Sequence, residues 1–323
     1  MSLHVICERD VGLFSLIQQV IANIPWALQE KRTPIVYFGE RNCYWTPQGY
    51  QGKDSVWEYY FEPLFDAYPA AAVPEHIRKI IDADFPNPLQ VGYLADAGVY
   101  VSNHFGDHPD LNGKALPIPY LFDDPDDALR RRAAAIIREY IRPRAYIQRK
   151  IHEFSARHMT RGYVIGVHAR GTDAISKAEI REHRQGSLVL SKYRAEVQRL
   201  LNDHPDAAIF VATDDQASLE YFQEQFGARV IAYDSIRHEG GEAAGEGPTG
   251  WIMPAYVAAD RDRAARNGEE AVIEYLLLSR CDHLVHNGGS LARTVLLNVP
   301  DLPHTNTHRP TPERRAAAYE LHA

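Results

Sequence analysis

The sequence predicts an α/β protein built on parallel sheet, and three observations carry that expectation. From Tyr163 to Asn298 short apolar runs alternate with amphipathic stretches of helical length, the pattern of strands joined by right-handed helical crossovers. The run Val164-Ile-Gly-Val-His-Ala-Arg-Gly-Thr-Asp173 turns abruptly from apolar to polar, and Ile209 to Asp215 and His283 to Arg293 repeat that change. Ligands of open α/β sheets bind beyond the carboxyl ends of the strands, so these three places are the candidate site. At 323 residues the chain exceeds what one core usually covers, and two domains of roughly 150 residues follow.

Taken in order, His4 to Cys7 reads as a strand, and Val11 to Ile24 as a helix. Leu13, Phe14, Ile17, Val20, Ile21 and Ile24 share one face of that helix, and Pro25 is its expected stop. Pro34 to Phe38 is a second strand. Asp54 to Tyr68 reads as a helix with Asp54 or Ser55 as N-cap and an aromatic face of Trp57, Tyr60, Phe61 and Phe65. Pro74 to Ile81 is a short helix, Gly98 to Ser102 a strand, and Asn103 to Pro119 a Gly/Pro-rich loop. Two helices, Asp124 to Ile141 and Pro143 to Arg157, are split at Pro143, which lacks an amide hydrogen and crowds the preceding turn. A boundary between domains 1–142 and 143–323 is placed there.

The second half then reads strand Tyr163–His168, helix Ser191–Asn202, strand Ala208–Thr213, helix Gln216–Phe226 and strand Arg229–Asp234. After it come helix Glu269–Ser279, strand His283–His286 and helix Ser290–Asn298. Between them Ser235 to Gly268 is a long glycine-rich interruption, a lid or a plain flexible insertion.

Composition narrows the function classes. With 45% hydrophobic and 24% charged residues the chain is ordinary globular material, and its net charge of -8 argues against a general nucleic-acid surface. Cys7, Cys43 and Cys281 are far apart and form no CxxC pair, which points away from a disulfide framework or thiolate zinc site. No signal-peptide pattern opens the chain and charges interrupt its apolar runs, so a cytoplasmic protein without a transmembrane segment is expected.

At the first strand end, His168 and Arg170 alternate with Ala169 and so share a face, where a guanidinium fork and an imidazole suit phosphate oxygens. The competing reading pairs Arg170 with Asp173 merely to organise the turn. At the last, His286-Asn-Gly-Gly-Ser-Leu-Ala-Arg-Thr294 crosses two glycines into a helix with Ser290 as N-cap or first-turn residue. Backbone amides and the positive helix end favour an anion there, although a plain cap is the simpler alternative. Thr213 and Asp214 line the middle strand end, and Asp215 is expected to cap the next helix. Paired aspartates can take Mg2+, but no third carboxylate stands at metal spacing, and no metal is expected.

Together these pieces resemble the fucosyltransferase superfamily of α-1,6-fucosyltransferases, bacterial nodulation-factor fucosyltransferases and protein O-fucosyltransferases. Gly166-Val-His-Ala-Arg-Gly-Thr-Asp173 looks like its first motif, Phe210-Val-Ala-Thr-Asp-Asp215 like its second, and Ile273 to His286 followed by Asn287 to Arg293 like its third. The resemblance covers Ile141 to Asn298, about half the chain, with the motifs in the family's order. It implies a GT-B architecture of two Rossmann-like domains facing a cleft, the C-terminal one doubly wound and holding the nucleotide sugar. It also implies metal-independent, inverting transfer of fucose from GDP-fucose, without a cofactor, to a glycan or glycoside acceptor bound by the N-terminal domain, in glycan biosynthesis.

By the same resemblance Arg170 contacts the β-phosphate of the donor with His168 and Gly171 beside it. Asn287, Gly288, Gly289, Ser290 and Leu291 take the phosphates, Glu274 accepts from the guanine edge, and Thr213, Asp214 and Asp215 organise the nucleotide site. Glu179 is the expected general base, with Asp173 and Glu182 as alternatives. Gly171 replaces the second arginine of the family's His-x-Arg-Arg pattern, and Ala178 stands where members place an acid. A nucleotide-sugar-binding module without catalysis, or a transferase for another nucleotide sugar, is the alternative function. An NAD-dependent oxidoreductase is disfavoured because no GxGxxG follows an early strand.

Overall fold

The computed structural model describes residues 2–9, 11–83, 93–96, 98–103, 115–118, 124–160, 162–169, 190–237, 245–246, 252–253 and 261–308. They form an α/β protein in two compact units. The first comprises Met1–Pro119, Pro125–Arg149 and Gly245–Val272, and the second Tyr120–Asp124, Lys150–Ala244 and Ile273–Ala323. The units are therefore interleaved along the chain. Among the described residues no helix is long and apolar enough to cross a membrane.

In the first unit β1 (Leu3–Cys7) leads through α1 (Leu13–Gln29) to β2 (Thr33–Tyr37), followed by α2 (Val56–Tyr60), α3 (Glu75–Ala83), β3 (Tyr93–Asp96), β4 (Val99–Ser102) and α4 (Asp127–Tyr140). The sheet order is β2-β1-β4-β3, with β1 parallel to both neighbours and β3 antiparallel to β4. One face packs Val5, Cys7, Ile35 and Val101 against Ile77 and Ile81 of α3. Leu16, Ile17, Val20 and Ile21 of α1 are almost wholly buried as well.

Helix α1 does not stop at Pro25 as expected but runs on to Gln29. Pro25 removes one helical hydrogen bond, yet the next turn buries Trp26, whose ring meets His4 edge-on at 4.8 Å and Tyr100 at 5.4 Å. Aromatic burial of this kind outweighs one missing bond. The opposite error concerns Asp54 to Tyr68, where only Val56–Tyr60 is helical. Phe61 turns extended and bridges Pro143, and Pro63 follows two residues later. Ser55 occupies the N-cap position but its hydroxyl accepts from the Phe38 amide, so it ties α2 to β2 instead of capping the helix.

α5 (Ala145–His158) leads into the second unit, with β5 (Val164–His168), α6 (Leu190–Asp203), β6 (Ala208–Ala212), α7 (Gln216–Phe226) and β7 (Val230–Ile231). The two-residue strands β8 (Gly245–Glu246) and β9 (Ile252–Met253) pair antiparallel. α8 (Arg261–Leu278), β10 (His283–His286), α9 (Ser290–Asn298) and β11 (His304–Asn306) complete the described chain. The five strands lie in the order β11-β10-β5-β6-β7, all parallel. Every residue of β5, β6 and β10 is buried, which is why they read as continuous apolar runs instead of alternating ones. Strand β7 is shorter than the expected Arg229–Asp234, while β3 and β11 were not expected.

Helix α8 begins eight residues before the expected Glu269, because Gly268 lies inside it and not at its start. A Cβ at Gly268 would collide with the Tyr60 hydroxyl, which donates to the Ala265 carbonyl at 2.8 Å. The glycine serves close packing there, not chain reversal. Most of the Ser235 to Gly268 interruption lies outside the described residues, and its lid reading with it.

Candidate functional site

The second sheet reverses direction at β5. From β5 the chain builds outward through β6 to β7, then returns to β5's other edge with β10 and β11. The carboxyl ends of β5 and β10 flank the point of reversal, the place where open α/β sheets bind ligands because two neighbouring loops diverge there. His168 and His286 end these strands in register, both buried.

The end of β5 is anchored from its other side. The Ala169 amide donates to the Ala212 carbonyl at 3.0 Å, the Thr213 hydroxyl to the Ala169 carbonyl at 2.7 Å, and the Tyr193 hydroxyl to the His168 carbonyl at 3.1 Å. Thr213 therefore holds the backbone at the carboxyl end of β5. Arg170, Gly171, Asp173, Glu179 and Glu182 lie outside the described residues.

Asp215 is the N-cap of α7, as expected. Its Oδ2 accepts from the Ser218 amide at 2.8 Å and from the Ser218 hydroxyl at 2.5 Å. Its Asp214 neighbour is half-buried beside it.

After β10, Asn287 is buried and Gly288 adopts φ +80°, a left-handed conformation that glycine takes without strain. Gly289, at φ -64° and ψ 158°, is the N-cap of α9, so Ser290 is the first helical residue and not the cap. No side chain caps this helix, and its first-turn amides, including those of Ser290 and buried Leu291, point along the axis toward the sheet end. The Ser290 hydroxyl accepts from the Arg293 guanidinium at 3.2 Å. The Gly288 amide, expected to serve a phosphate, donates to His286 Nδ1 at 3.0 Å.

Glu274 projects from α8 and is almost fully buried. Its Oε1 accepts from the Ser235 hydroxyl at 2.7 Å and stands 3.7 Å from the Arg237 guanidinium. That guanidinium in turn donates to the Tyr233 carbonyl at 2.7 Å. The segment after β7 is thus what orients the carboxylate assigned to guanine.

Sequence reading missed a cluster on β10 and β11. Asp124 Oδ1 lies 3.6 Å from His286 Nε2 and its Oδ2 3.6 Å from His304 Nε2, while the Asn306 amide donates to Oδ1 at 3.1 Å. Burial drives the His286 imidazole down to about 4, so it is neutral at physiological pH. Burial alone would raise Asp124, but the imidazoles of His304 and His286 and the Asn306 amide more than offset it and keep the carboxyl below its ordinary range. The only signal in the sequence was the spacing of His304 and Asn306 by two, which on a strand puts them on one face.

No protein-family model matches the sequence, and no curated protein matches it. Solved structures do. The fucosyltransferase NodZ from Bradyrhizobium is similar over 94% of this chain and 93% of its own, with a TM-score of 0.52 at 14% identity. NodZ α-1,6-fucosyltransferase soaked with GDP-fucose gives 0.50 at 15% identity over 93% and 94%. An Arabidopsis thaliana FUT1 mutant in complex with GDP gives 0.55 at 13% identity over 97% and 71%. The chain accordingly has the α/β, parallel-sheet fold of these fucosyltransferases.

Proposed function

We propose that the protein is an inverting, metal-independent glycosyltransferase that moves L-fucose from GDP-fucose to a hydroxyl of a glycan or glycoside, acting in the cytoplasm in glycan biosynthesis. One observation carries the reading. The strand ends bearing His168 and His286 meet in register at the point of sheet reversal, and the second opens through two glycines onto the uncapped start of α9, in a fold shared with one structure soaked with GDP-fucose and another in complex with GDP.

In this reading the diphosphate lies against the first turn of α9, where amides and the helix dipole attract an anion. Arg170 meets the charge that grows on the β-phosphate. The acceptor oxygen bonds to the anomeric carbon as the bond from that carbon to the β-phosphate oxygen breaks, and the electron pair leaves with GDP. The acceptor proton passes to a carboxylate, assigned to Glu179 with Asp173 and Glu182 as alternatives. Glu274 accepts from guanine while Ser235 and Arg237 hold it. The acceptor is assigned to the N-terminal domain 1–142 and the donor to 143–323, the two domains of a GT-B enzyme.

Acceptor-free hydrolysis of GDP-fucose tests this, with released GDP as the readout. Slow release that falls by about 100-fold or more in Arg170→Ala supports transferase chemistry. GDP binding without release points instead to a binding module, the outcome that the lost second arginine at Gly171 would explain.

A further inference from the structure

His286 makes different use of its two ring nitrogens. Nδ1 accepts the Gly288 amide at 3.0 Å, and Nε2, fully buried, faces Asp124 at 3.6 Å. With His304 the three side chains bring their ligand-type atoms within 4.8 Å of one another, the composition of a divalent-metal site. Proton counting decides otherwise. A histidine that binds a metal through one nitrogen carries its hydrogen on the other, which must then donate. Here the other nitrogen accepts, so the single hydrogen of the neutral ring sits on Nε2, 3.6 Å from the Asp124 carboxylate.

We propose that His286 is a positioning residue for the donor diphosphate. Through Nδ1 it holds the Gly288 amide, and with it the left-handed turn that launches α9, while Asp124 keeps the ring hydrogen on Nε2. The main chain supports this from the opposite side, because the His286 carbonyl accepts from the Thr307 amide at 2.7 Å and from the Thr307 hydroxyl at 3.0 Å. The strand end is thereby pinned before the turn begins. A turn fixed in advance leaves the amides of the following residues aimed at an anion without reorganisation on binding. The inference rests on the donor reading above only for the identity of the anion.

Two substitutions separate the ring nitrogens. In His286→Asn the side-chain oxygen falls near the place of Nδ1 and can still accept from Gly288, whereas in His286→Gln it falls near Nε2 and cannot. Calorimetry with GDP is expected to find H286N within about threefold of wild type and H286Q weaker by about tenfold, with Asp124→Asn between them. Nitrogen NMR of the wild-type ring is expected to show the hydrogen on Nε2. Equal losses in H286N and H286Q, or a hydrogen on Nδ1, would overturn the proposal. So would zinc chloride raising the melting temperature of the wild type but not of His304→Ala. Failure of the wild type to bind GDP would count against the donor reading, and the ring tautomer would still decide the role of His286.

Discussion

His168 and His286 stand opposite each other in register at the carboxyl ends of β5 and β10, the strands between which the second sheet reverses its order. The pairing brings side by side the ends of two strands whose motifs lie more than a hundred residues apart in sequence. Both rings belong to the face that also carries His304 and Asn306, since alternate residues of paired strands project together.

Arg170 follows the buried His168 by two residues in the sequence, and the proposed mechanism sets it against the charge growing on the β-phosphate. Arg170→Ala is expected to lower turnover by about 100- to 1,000-fold, as for loss of one preorganised donor to a developing oxyanion. Its unfolding midpoint in urea should match that of the wild type. Turnover close to wild type would remove Arg170 from the mechanism.

The Asp215 carboxylate accepts from the amide and the hydroxyl of Ser218, both inside the first turn of α7. Asp215→Ala is therefore expected to cost about 1 kcal/mol of stability through loss of the cap, while Asp215→Asn, itself a good cap, costs less. Chemical denaturation of the pair measures this. If both variants keep wild-type stability but lose GDP binding equally, Asp215 contacts the nucleotide directly.

Gly268 inverts a common rule. Glycine to alanine inside a helix ordinarily stabilises by about 1 kcal/mol, but here the new methyl meets the Tyr60 ring and hydroxyl and the Tyr44 ring. Gly268→Ala is expected to destabilise by roughly 1–3 kcal/mol, the usual range for overpacking. Thermal melts of Gly268→Ala alone and combined with Tyr60→Phe check the cause, because deleting the hydroxyl should return part of the loss.

Sequence periodicity located β5, β6 and β10 because every residue of these strands is buried, and β6, β10 and α9 came out within a residue; the half-buried β11 carried no such signal. It failed where tertiary packing overrides local preference. Pro25 and Gly268 look like helix breakers, yet Trp26 burial and the Tyr60 contact keep both inside helices. The aromatic run from Trp57 to Phe65 looks helical throughout but straightens at Phe61 to pair with Pro143. The two-glycine turn into α9 and the Asp215 cap were legible as local motifs. The partnership of His286 with Asp124 was not, since 162 positions of chain separate them and a lone strand histidine carries no mark of its partner.

Glu8 gives a pH signature. Burial, opposed by the amides of Gly39 and of its own backbone and assisted by Asp82, raises its carboxyl to about 8, and its Oε1 accepts from the Gly39 amide at 3.0 Å. The unfolded chain ionises this group near 4.5, so between these values it is the unfolded state that gives up the proton. Folding must then weaken as pH rises from about 4.5 to about 8, by at most about 1.4 kcal/mol per pH unit, and level off above. Glu8→Gln removes the slope, and its stability relative to wild type should improve steadily from pH 5 to pH 8. A difference that is constant with pH would show that Glu8 ionises normally in the fold.

The reversal point between β5 and β10 is proposed to hold a guanosine diphosphate sugar. Thermal unfolding with GDP, UDP, dTDP, CMP and NAD tests it most directly, because a ligand at about 100 times its dissociation constant adds about 2.7 kcal/mol of stability. GDP alone should raise the melting temperature of the wild type, and the rise should shrink in Glu274→Ala. Stabilisation by UDP or dTDP without GDP would contradict the proposal.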